Sequence, residues 1–425
     1  MLLLYQLTLR LYALGIHLLA PFHPKARRWV RGRREVARQL QKLDPDRPRL
    51  WMHCASLGEF EQGRPVLEAL RHQWPDHQIV LSFFSPSGYE IRKNYPLADV
   101  ICYLPLDSPG NARRWLDTVR PQLAIFVKYE FWYHYLHQLR DRNCPTLLIA
   151  AHFRPRQLFF RSYGGFFRSI LHCFQHIFVQ DTGSVELLRQ IGQEAHSIAG
   201  DPRIDRVLEI AGAAREFPLV AAFAEGRPVL VLGSSWPAEE QLLAELLDRA
   251  DRPGWRLLIA PHEIREKGLR RLESSLPGPV LRYSQARPET AREARVLLID
   301  NIGMLSALYR YGRLAFIGGG FGQGIHNILE PMAFGLPVIF GPRFEKFGEA
   351  VQLCQAGGTF SVNHVKELEQ VWRQLDDTEH YQRAVEQTQQ YLERNRGASS
   401  RIIAYILQHY ASEIPRRGGK AIDRS

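Results

Sequence analysis

The chain has few residues that could crosslink it or hold a metal ion. Only five of its 425 residues are cysteine, and no two of them form a C-x-x-C pair. An odd, scattered set is typical of reduced, mostly buried thiols in a cytosolic compartment. These residues are Cys54, Cys102, Cys144, Cys173 and Cys354. Since no cluster of His, Cys and Asp has metal-ligand spacing and neither a P-loop nor H-E-x-x-H occurs, we expect no metal site.

Acidic residues are also in short supply. The 44 Asp and Glu face 55 Lys and Arg, which leaves a net charge of +11. Such an excess indicates an acidic partner, which could be nucleic acid, anionic lipid or a phosphorylated substrate. A block of six cations at 25–34 follows directly after the most apolar stretch, 1–22. This pairing favours an anionic membrane surface and not nucleic acid.

The apolar stretch is not an uninterrupted hydrophobic run. Gln6, Arg10 and His17 break it at spacings that return to one helix face, as in an amphipathic helix lying in the membrane interface. A spanning helix would bury Arg10 at about 2.5–3.5 kcal/mol, and it remains the alternative. A cleaved signal is disfavoured, because the positive block follows the apolar region. By the positive-inside rule the body of the protein would be cytoplasmic.

Strand-like apolar runs alternate with helix-like segments along most of the chain, which predicts an α/β fold with parallel sheets. The first-half strands are predicted at 49–53, 79–84, 123–127, 146–150 and 176–179. The pattern restarts with a strand at 228–232, a helix at 237–249 and a strand at 255–260. We therefore expect two doubly wound, Rossmann-like domains facing a central cleft, with ligands at the carboxyl ends of the strands. The predicted divisions are a membrane-associating segment 1–45, domains 46–210 and 211–410, and a disordered tail 411–425.

A glycine-rich segment at 318–324 follows a predicted strand at 314–317 and precedes a short helix that Asn327 could cap. Glycines allow close approach of a ligand, and helix amides attract anions, so a phosphate would fit here. His326 and Glu330 share one helix face and could address a phosphate and a ribose diol. The glycines cannot be aligned with the G-x-G-x-x-G fingerprint followed by an acidic residue that binds the ribose, so a redox dinucleotide site is poorly supported. A glycine-rich turn without a ligand is the other interpretation.

Two carboxylates follow strands of the first half. Glu59 opens a helix after the strand at 49–53, where it could act as a general base on a hydroxyl. It could equally form a capping box with Ser56. Glu130 follows the strand at 123–127 among aromatic residues, which are either a pocket wall or ordinary core.

Several arginines follow the strands of the same half. Arg154, Arg156, Arg161 and Arg168 would form a basic lip for a phosphorylated acceptor, or simply a solvated surface. Arg203, at the end of the half, could reach the cleft.

An ordered set of motifs over nearly the whole chain resembles the Kdo (3-deoxy-D-manno-octulosonic acid) transferase family of lipopolysaccharide assembly. They are H-x-x-S-x-G-E at 53–59, Y-E-F-W at 129–132, G-D-P-R-I-D at 200–205, A-P-H at 260–262, I-G-M at 302–304 and G-x-H-N-x-x-E at 324–330. The resemblance implies a GT-B glycosyltransferase that moves Kdo from CMP-Kdo to a hydroxyl of a lipid A precursor at the inner membrane, with inversion and without a cofactor.

The resemblance also implies roles for particular residues. Glu59 would be the general base, and Glu130 and Arg203 would stabilise the transition state. The acceptor would meet Ser56, Arg154 and Arg156. CMP would be held by Pro261, His262, Ile302, Gly303, Met304, Asn327, Ile328, Leu329 and Glu330. The chain departs from the family pattern at His262, Arg203 and Ile328, where the family often has arginine, lysine and proline.

Two other functions fit parts of the sequence. Another GT-B enzyme, such as a UDP-sugar epimerase, would share the fold and the nucleotide site but would not need the apolar N-terminus. A non-catalytic membrane-surface protein would tolerate loss of Glu59, Glu130 and Arg203.

Overall fold

A computed structural model describes residues 1–213, 215–249, 252, 254–411 and 414. The described residues form two compact units, one of residues 1–205 with those from 395 onward, the other of those between 206 and 394. Each unit contains a seven-stranded sheet in which all neighbouring strands run parallel. The predicted α/β class with two doubly wound sheets is confirmed.

The first sheet has the order β3-β2-β1-β4-β5-β6-β7. Its strands are β1 (Arg49–Cys54), β2 (Gln78–Phe83), β3 (Val100–Tyr103), β4 (Leu123–Val127), β5 (Thr146–Ala151), β6 (His176–Val179) and β7 (His196–Ile198). Every residue of β1, β2, β4 and β5 is buried, as expected for a parallel sheet covered on both faces. The strand order reverses between β1 and β4, so the loops after these two strands flank the switch point where ligands of such folds bind.

The second sheet repeats this plan with the order β10-β11-β9-β8-β12-β13-β14. Its strands are β8 (Val229–Ser235), β9 (Arg256–Pro261), β10 (Val280–Arg282), β11 (Val296–Leu298), β12 (Leu314–Ile317), β13 (Val338–Phe340) and β14 (Thr359–Ser361). Here the order reverses between β8 and β12, whose ends are in register at Gly233 and Ile317. The glycine-rich segment and the start of the helix after β8 therefore meet at this switch point.

Helices connect and cover the strands of both units. They are α1 (Leu2–Leu19), α2 (Pro24–Arg34), α3 (Val36–Leu40), α4 (Leu57–Gln73), α5 (Pro86–Arg92), α6 (Pro109–Val119), α7 (Tyr133–Asp141), α8 (Gly165–Leu171), α9 (Thr182–Gln190), α10 (Pro202–Gly212), α11 (Pro218–Ala224), α12 (Pro237–Arg249), α13 (Glu266–Ser275), α14 (Pro288–Glu293), α15 (Leu305–Leu308), α16 (Leu329–Ala333), α17 (Gly348–Ala356), α18 (Val365–Gln374), α19 (Thr378–Asn395) and α20 (Ala398–Tyr410).

The last helix, α20, belongs to the first unit. Ile402 and Ile406 are fully buried in the same core cluster as Leu50 of β1, and α20 packs on α4. The Trp74 indole N–H donates to the carbonyl of Ile414 at 3.0 Å. The sequence division that placed residues up to 410 in the second domain is therefore wrong for α20, because its apolar face completes the first core. Most of the predicted disordered tail, 411–425, lies outside the described residues.

Helix α1 is an apolar helix that shows two different faces. It has 18 residues and a mean hydropathy of 1.4, and none of its residues is buried. The Tyr5 hydroxyl donates to Asp107 at 2.6 Å, and the Gln6 amide lies 3.1 Å from the His134 ring. Exposed leucines recur at three- and four-residue intervals on the outward face, at 4, 7, 11, 14 and 18. The helix therefore docks through polar and aromatic groups, including Tyr12 stacked on Phe84, and presents an apolar stripe outward.

Candidate functional site

Glu59 lies at the carboxyl end of β1, in the first turn of α4. Its carboxylate reaches back and accepts the backbone N–H of Ala55. Ser56 is the N-cap residue, but its side chain makes no capping bond. Only half of the predicted capping box is therefore formed. The helix-capping interpretation of Glu59 holds in part, and it leaves the carboxylate at the switch point of the sheet.

The surroundings of Glu59 change its acidity. Burial and, second, the neighbouring Glu130 together raise the pKa of Glu59 to about 8. The amides of Ala55 and Ser56 and the Lys128 ammonium act in the opposite direction. A carboxyl group with a pKa close to working pH is suited to exchange a proton with a bound hydroxyl.

Glu130 is buried in a hydrogen-bonded network. Its Oε2 lies 2.8 Å from His53 Nε2 and accepts the Trp132 indole N–H at 2.7 Å. On the other side, His53 Nδ1 lies 2.8 Å from Ser82 Oγ, which also accepts the Trp51 indole N–H. A buried carboxylate with two ring donors is held in one position. The aromatic residues around Glu130 therefore include a direct partner and are not only core.

Sequence reasoning did not find the roles of His53 and Ser82. Each follows a run of apolar residues within its strand, and the two are register partners on β1 and β2. His53 and Ser82 are both fully buried, and a buried polar side chain needs a hydrogen-bond partner. Two polar residues inside neighbouring buried strands were therefore the signal in the sequence for this hydrogen-bonded pair.

Backbone strain marks the same edge of the sheets. Lys128 at the end of β4, Ala150 in β5 and Ser234 in β8 have φ values of 66°, 54° and 51°. Residues other than glycine rarely adopt this left-handed conformation, and such strain concentrates at functional sites. Lys128 also lies close enough to Glu59 and Asp201 to lower the pKa of both carboxyls.

The predicted basic residues have different surroundings. Arg203 donates from both Nε and Nη2 to one oxygen of the buried Asp201, at 2.9 and 2.6 Å. Arg168 donates to the carbonyls of Phe159 and Arg161, so it stabilises its own loop. Arg154 and Arg156 are exposed after β5, where their role in acceptor binding stays a prediction.

In the second unit, the glycine-rich loop already binds an anion, which is the carboxylate of Glu239. Glu239 Oε1 accepts the backbone N–H of Gly319 at 2.8 Å and that of Phe321 at 3.5 Å. The other oxygen accepts the N–H of Trp236 at 3.2 Å. The backbone amides of Gly319 and Phe321 are therefore taken by an internal carboxylate that is fully buried at the start of α12. A phosphate at the helix amides further along stays a prediction.

The glycines have a packing reason instead. A Cβ atom on Gly318 would lie 2.1 Å from the carbonyl oxygen of Ser234, and one on Gly320 would lie 2.5 Å from the amide nitrogen of Gly341. Real Cβ atoms do not approach other atoms so closely. The loop is glycine-rich because backbone packs directly on backbone.

The segment after the loop is ordered by Asn327. Its side-chain oxygen accepts the N–H of Leu329, and its amide donates to Glu330, both at 3.1 Å. Helix α16 begins only at Leu329, and its N-cap residue is Ile328, which makes no side-chain capping bond. The prediction that Asn327 caps this helix is therefore wrong, because Asn327 lies one residue too early and forms a turn before the helix instead. Glu330 is half-buried beside it, and its predicted contact with a ribose stays a prediction.

Three aromatic rings stack next to this segment. The rings of His262 and His326 are 4.4 Å apart and nearly parallel, and Trp236 lies 4.8 Å from His262. The Trp236 indole donates to His326 Nε2 at 3.0 Å. Burial lowers the pKa of His326 to about 4, so this ring is neutral, whereas His262 is exposed.

The other predicted CMP-binding residues lie further along the same sheet edge. Pro261 ends β9, and Ile302 to Met304 follow β11, which is two strands from β8. Ile302 is 92% exposed and Gly303 has a φ of 96°. The structure thus brings His262 together with His326, and it places 302–304 in an exposed loop.

Two doubly wound units of this kind are characteristic of the GT-B fold. The structure is similar to that of UDP-GlcNAc 2-epimerase from Neisseria meningitidis, with a TM-score of 0.60, 16% identity, and coverage of 85% of this chain and 100% of that one. It is also similar to MurG from Acinetobacter baumannii, with a TM-score of 0.55, 11% identity, and coverage of 85% and 99%. These similarities show the fold alone.

Sequence comparison shows which proteins of this fold the chain is similar to. Residues 28–206 match the family model described as 3-deoxy-D-manno-octulosonic-acid transferase (kdotransferase). The chain is 28% identical to the 3-deoxy-D-manno-octulosonic acid transferase of Haemophilus influenzae over 369 residues, which cover 83% of this chain and 85% of that protein. It is 26% identical to the 3-deoxy-D-manno-octulosonic acid transferase of Aquifex aeolicus over 327 residues, which cover 75% of this chain and 83% of that protein. The chain is therefore similar to Kdo transferases over most of its length.

Proposed function

We propose that this protein transfers Kdo from CMP-Kdo to a sugar hydroxyl of a lipid A precursor. Similarity to Kdo transferases over most of the chain supports the choice of donor and acceptor. The observation that carries the mechanism is the Glu59 carboxyl, half-buried beside a second carboxylate at the switch point of the first sheet.

In the proposed reaction, ionised Glu59 removes the proton of the acceptor hydroxyl. The acceptor oxygen then forms a bond to the anomeric carbon of Kdo, while the bond from that carbon to the CMP phosphate oxygen breaks. One such displacement inverts the anomeric configuration, and CMP leaves with the bonding electron pair. Glu59 supplies general-base assistance, which typically contributes about 10²–10⁴-fold.

The remaining residues position and stabilise. His53 and Trp132 hold Glu130, and Asp201 holds Arg203, so both charges are fixed before substrate arrives. Charges oriented in advance stabilise a transition state without reorganisation at the moment of reaction. We assign CMP to the segment around Asn327 and Glu330, to Pro261 and His262, and to 302–304. Basic side chains compensate the charge of the leaving phosphate, and the proposed displacement uses no metal ion.

We further propose that the protein acts at the cytoplasmic face of the inner membrane, with α1 lying in the interface. The polar face of α1 is engaged by Asp107 and His134, and these contacts would be lost if the helix crossed the bilayer alone. Its outward leucines suit the acyl boundary, and the exposed cations of α2 suit anionic headgroups.

The test is mass spectrometry of the lipid product after incubating the purified protein with CMP-Kdo and a tetra-acylated lipid A precursor. We expect an acceptor heavier by one or more Kdo residues, together with release of CMP. The Glu59→Gln variant is the matched control and should form little product. Absence of product with the parent protein, or formation of an epimer from UDP-GlcNAc under the same conditions, would reject the proposal.

A further inference from the structure

A cavity of about 270 Å³ opens between α1, α2 and the turn that follows β2. Its walls are mostly apolar, with Ile16 from α1, Trp29 from α2, and Phe84 and Pro86 from the turn. Two basic residues, His23 and Lys25, also line it, and both are exposed to solvent. The cavity therefore joins an apolar interior to a cationic rim.

The walls of this cavity are firmly built. The Arg33 guanidinium stacks 3.6 Å from the centre of the Trp29 ring and donates to the Phe84 carbonyl at 2.9 Å. The Phe84 ring packs edge-on against Trp29 and is stacked with Tyr12 of α1, each with centroids 6.1 Å apart. Residues from three elements thus hold one another around the cavity, so its shape exists before any ligand enters.

The turn that forms one wall is bonded directly to the loop that carries the proposed base. Phe84 and Ser85 donate their backbone N–H groups to the carbonyls of Cys54 and Ala55, at 3.3 and 2.7 Å. The N–H of the same Ala55 binds the Glu59 carboxylate. The Phe84 ring also lies 4.8 Å from the ring of Trp132, the partner of Glu130. Ala55 therefore connects the cavity wall to Glu59, and Trp132 connects it to Glu130.

Size and chemistry select the occupant. Pockets that enclose a whole small ligand span about 300–1,000 Å³, so this cavity suits part of a molecule only. Apolar walls with cations at the mouth match an acyl chain that leads to a phosphorylated headgroup. The exposed leucines of α1 lie on the same helix as Ile16, so a lipid can reach the cavity from the interface.

We propose that this cavity binds one acyl chain of the lipid acceptor and thereby sets the acceptor hydroxyl beside Glu59. The assignment rests on the proposed function, since it takes the acceptor to be an acylated, phosphorylated sugar. The cavity is then a specificity-determining site: it distinguishes acylated acceptors from the bare sugar headgroup.

The test fills the cavity and compares two acceptors that share the same phosphorylated disaccharide, one tetra-acylated and one deacylated. Ala26→Phe places a ring in the cavity from α2, and Ile16→Phe does so from α1. The control is Ala37→Phe on the exposed surface of α3. We expect each filling variant to raise KM for the acylated acceptor about tenfold or more, which corresponds to losing roughly two buried methylenes. KM for the deacylated acceptor and kcat for both should stay near the parent values.

A binding measurement separates this proposal from the reaction itself. A tetra-acylated acceptor with brominated chains, presented in detergent micelles, should quench the tryptophan fluorescence of the parent and of Ala37→Phe through Trp29, and should quench Ala26→Phe much less. If the parent shows this quenching but forms no Kdo product, the proposed function fails and the acyl site stands. Equal changes in KM for both acceptors, or unchanged KM for the acylated one, would overturn the acyl site. Loss of quenching by brominated phosphatidylcholine without any effect on acceptor KM would also overturn it.

Discussion

Replacing Glu59 with glutamine keeps the size of the side chain but removes its charge, and the structure predicts two measurable results. The first concerns rate. With a pKa of about 8, only about one-tenth of Glu59 is ionised at pH 7, so kcat/KM of the parent should rise about tenfold between pH 7 and pH 9. The variant should lose about 10²–10⁴-fold in rate and should show no rise with this pKa. The assay is the initial rate of CMP release across pH.

The second result concerns stability. Below pH 4.5, Glu59 carries its proton in both the folded and the unfolded state. Between pH 4.5 and 8, Glu59 ionises in the unfolded chain but stays protonated in the folded protein. The free energy of unfolding of the parent therefore falls as pH rises through this range. At about 1.4 kcal/mol per pKa unit, the loss reaches up to about 5 kcal/mol above pH 8. Glutamine does not ionise, so Glu59→Gln should be the more stable protein at pH 9 and nearly equal to the parent at pH 4.5.

Denaturant unfolding at pH 5 and pH 9 measures this difference. Glu61→Gln is the matched control, because Glu61 lies two residues further along α4 and pairs at the surface with Arg64 and Arg92. It should follow the parent at both pH values. A parent whose rate is constant from pH 6 to 9, together with a variant that gains no stability at pH 9, would refute the assignment of Glu59 as a half-buried base with a raised pKa.

Three further predictions concern other sites. Glu239→Ala should lower the free energy of unfolding by about 1.5–3 kcal/mol, because the backbone amides of the glycine loop lose a charged acceptor. The control Glu245→Ala, at an exposed position of the same helix, should change the free energy of unfolding little. Equal effects of the two substitutions would contradict the role of Glu239. Glu330→Ala should weaken CMP binding by about 1–3 kcal/mol in calorimetry, and unchanged affinity would remove Glu330 from the nucleotide site. Replacing Lys25, Arg28, Arg31 and Arg34 with glutamine should weaken binding to anionic liposomes by about 1 kcal/mol per cation, measured as the fraction of protein that floats with the liposomes. High salt should lower the floating fraction of the parent in the same way. A floating fraction that neither change lowers would favour a spanning helix. Arg33 is kept in that variant, because it is packed on Trp29.

The sequence was sufficient to locate the central elements of the fold. The predicted strands at 123–127, 176–179 and 314–317 and the helix at 237–249 agree with β4, β6, β12 and α12 at both ends. Continuous apolar runs bounded by turn residues are a strong signal. Strands such as β10, β11 and β14 were missed, since three residues carry no readable periodicity.

The candidate site was predictable only where chain order determines position. Glu59 and Glu130 follow strands that become neighbours, so a parallel sheet brings them to one edge. The His53–Ser82 pair depends on strand register, which the sequence did not reveal. The glycine loop was misread because its anion comes from Glu239, 80 residues away, and a sequence pattern cannot distinguish that carboxylate from a ligand.

The return of α20 to the first unit has a consequence for how the two units fold. The core around β1 includes Ile402, Ile406 and Ile414, so it lacks part of its apolar lining until these residues pack against it. The second unit, by contrast, lies within one continuous segment, residues 206–394. We expect the second unit to fold without α20, and the unit that bears Glu59 to close only when α20 is present. A chain truncated after residue 396 should therefore keep a protease-resistant second unit, while its first unit stays open to cleavage.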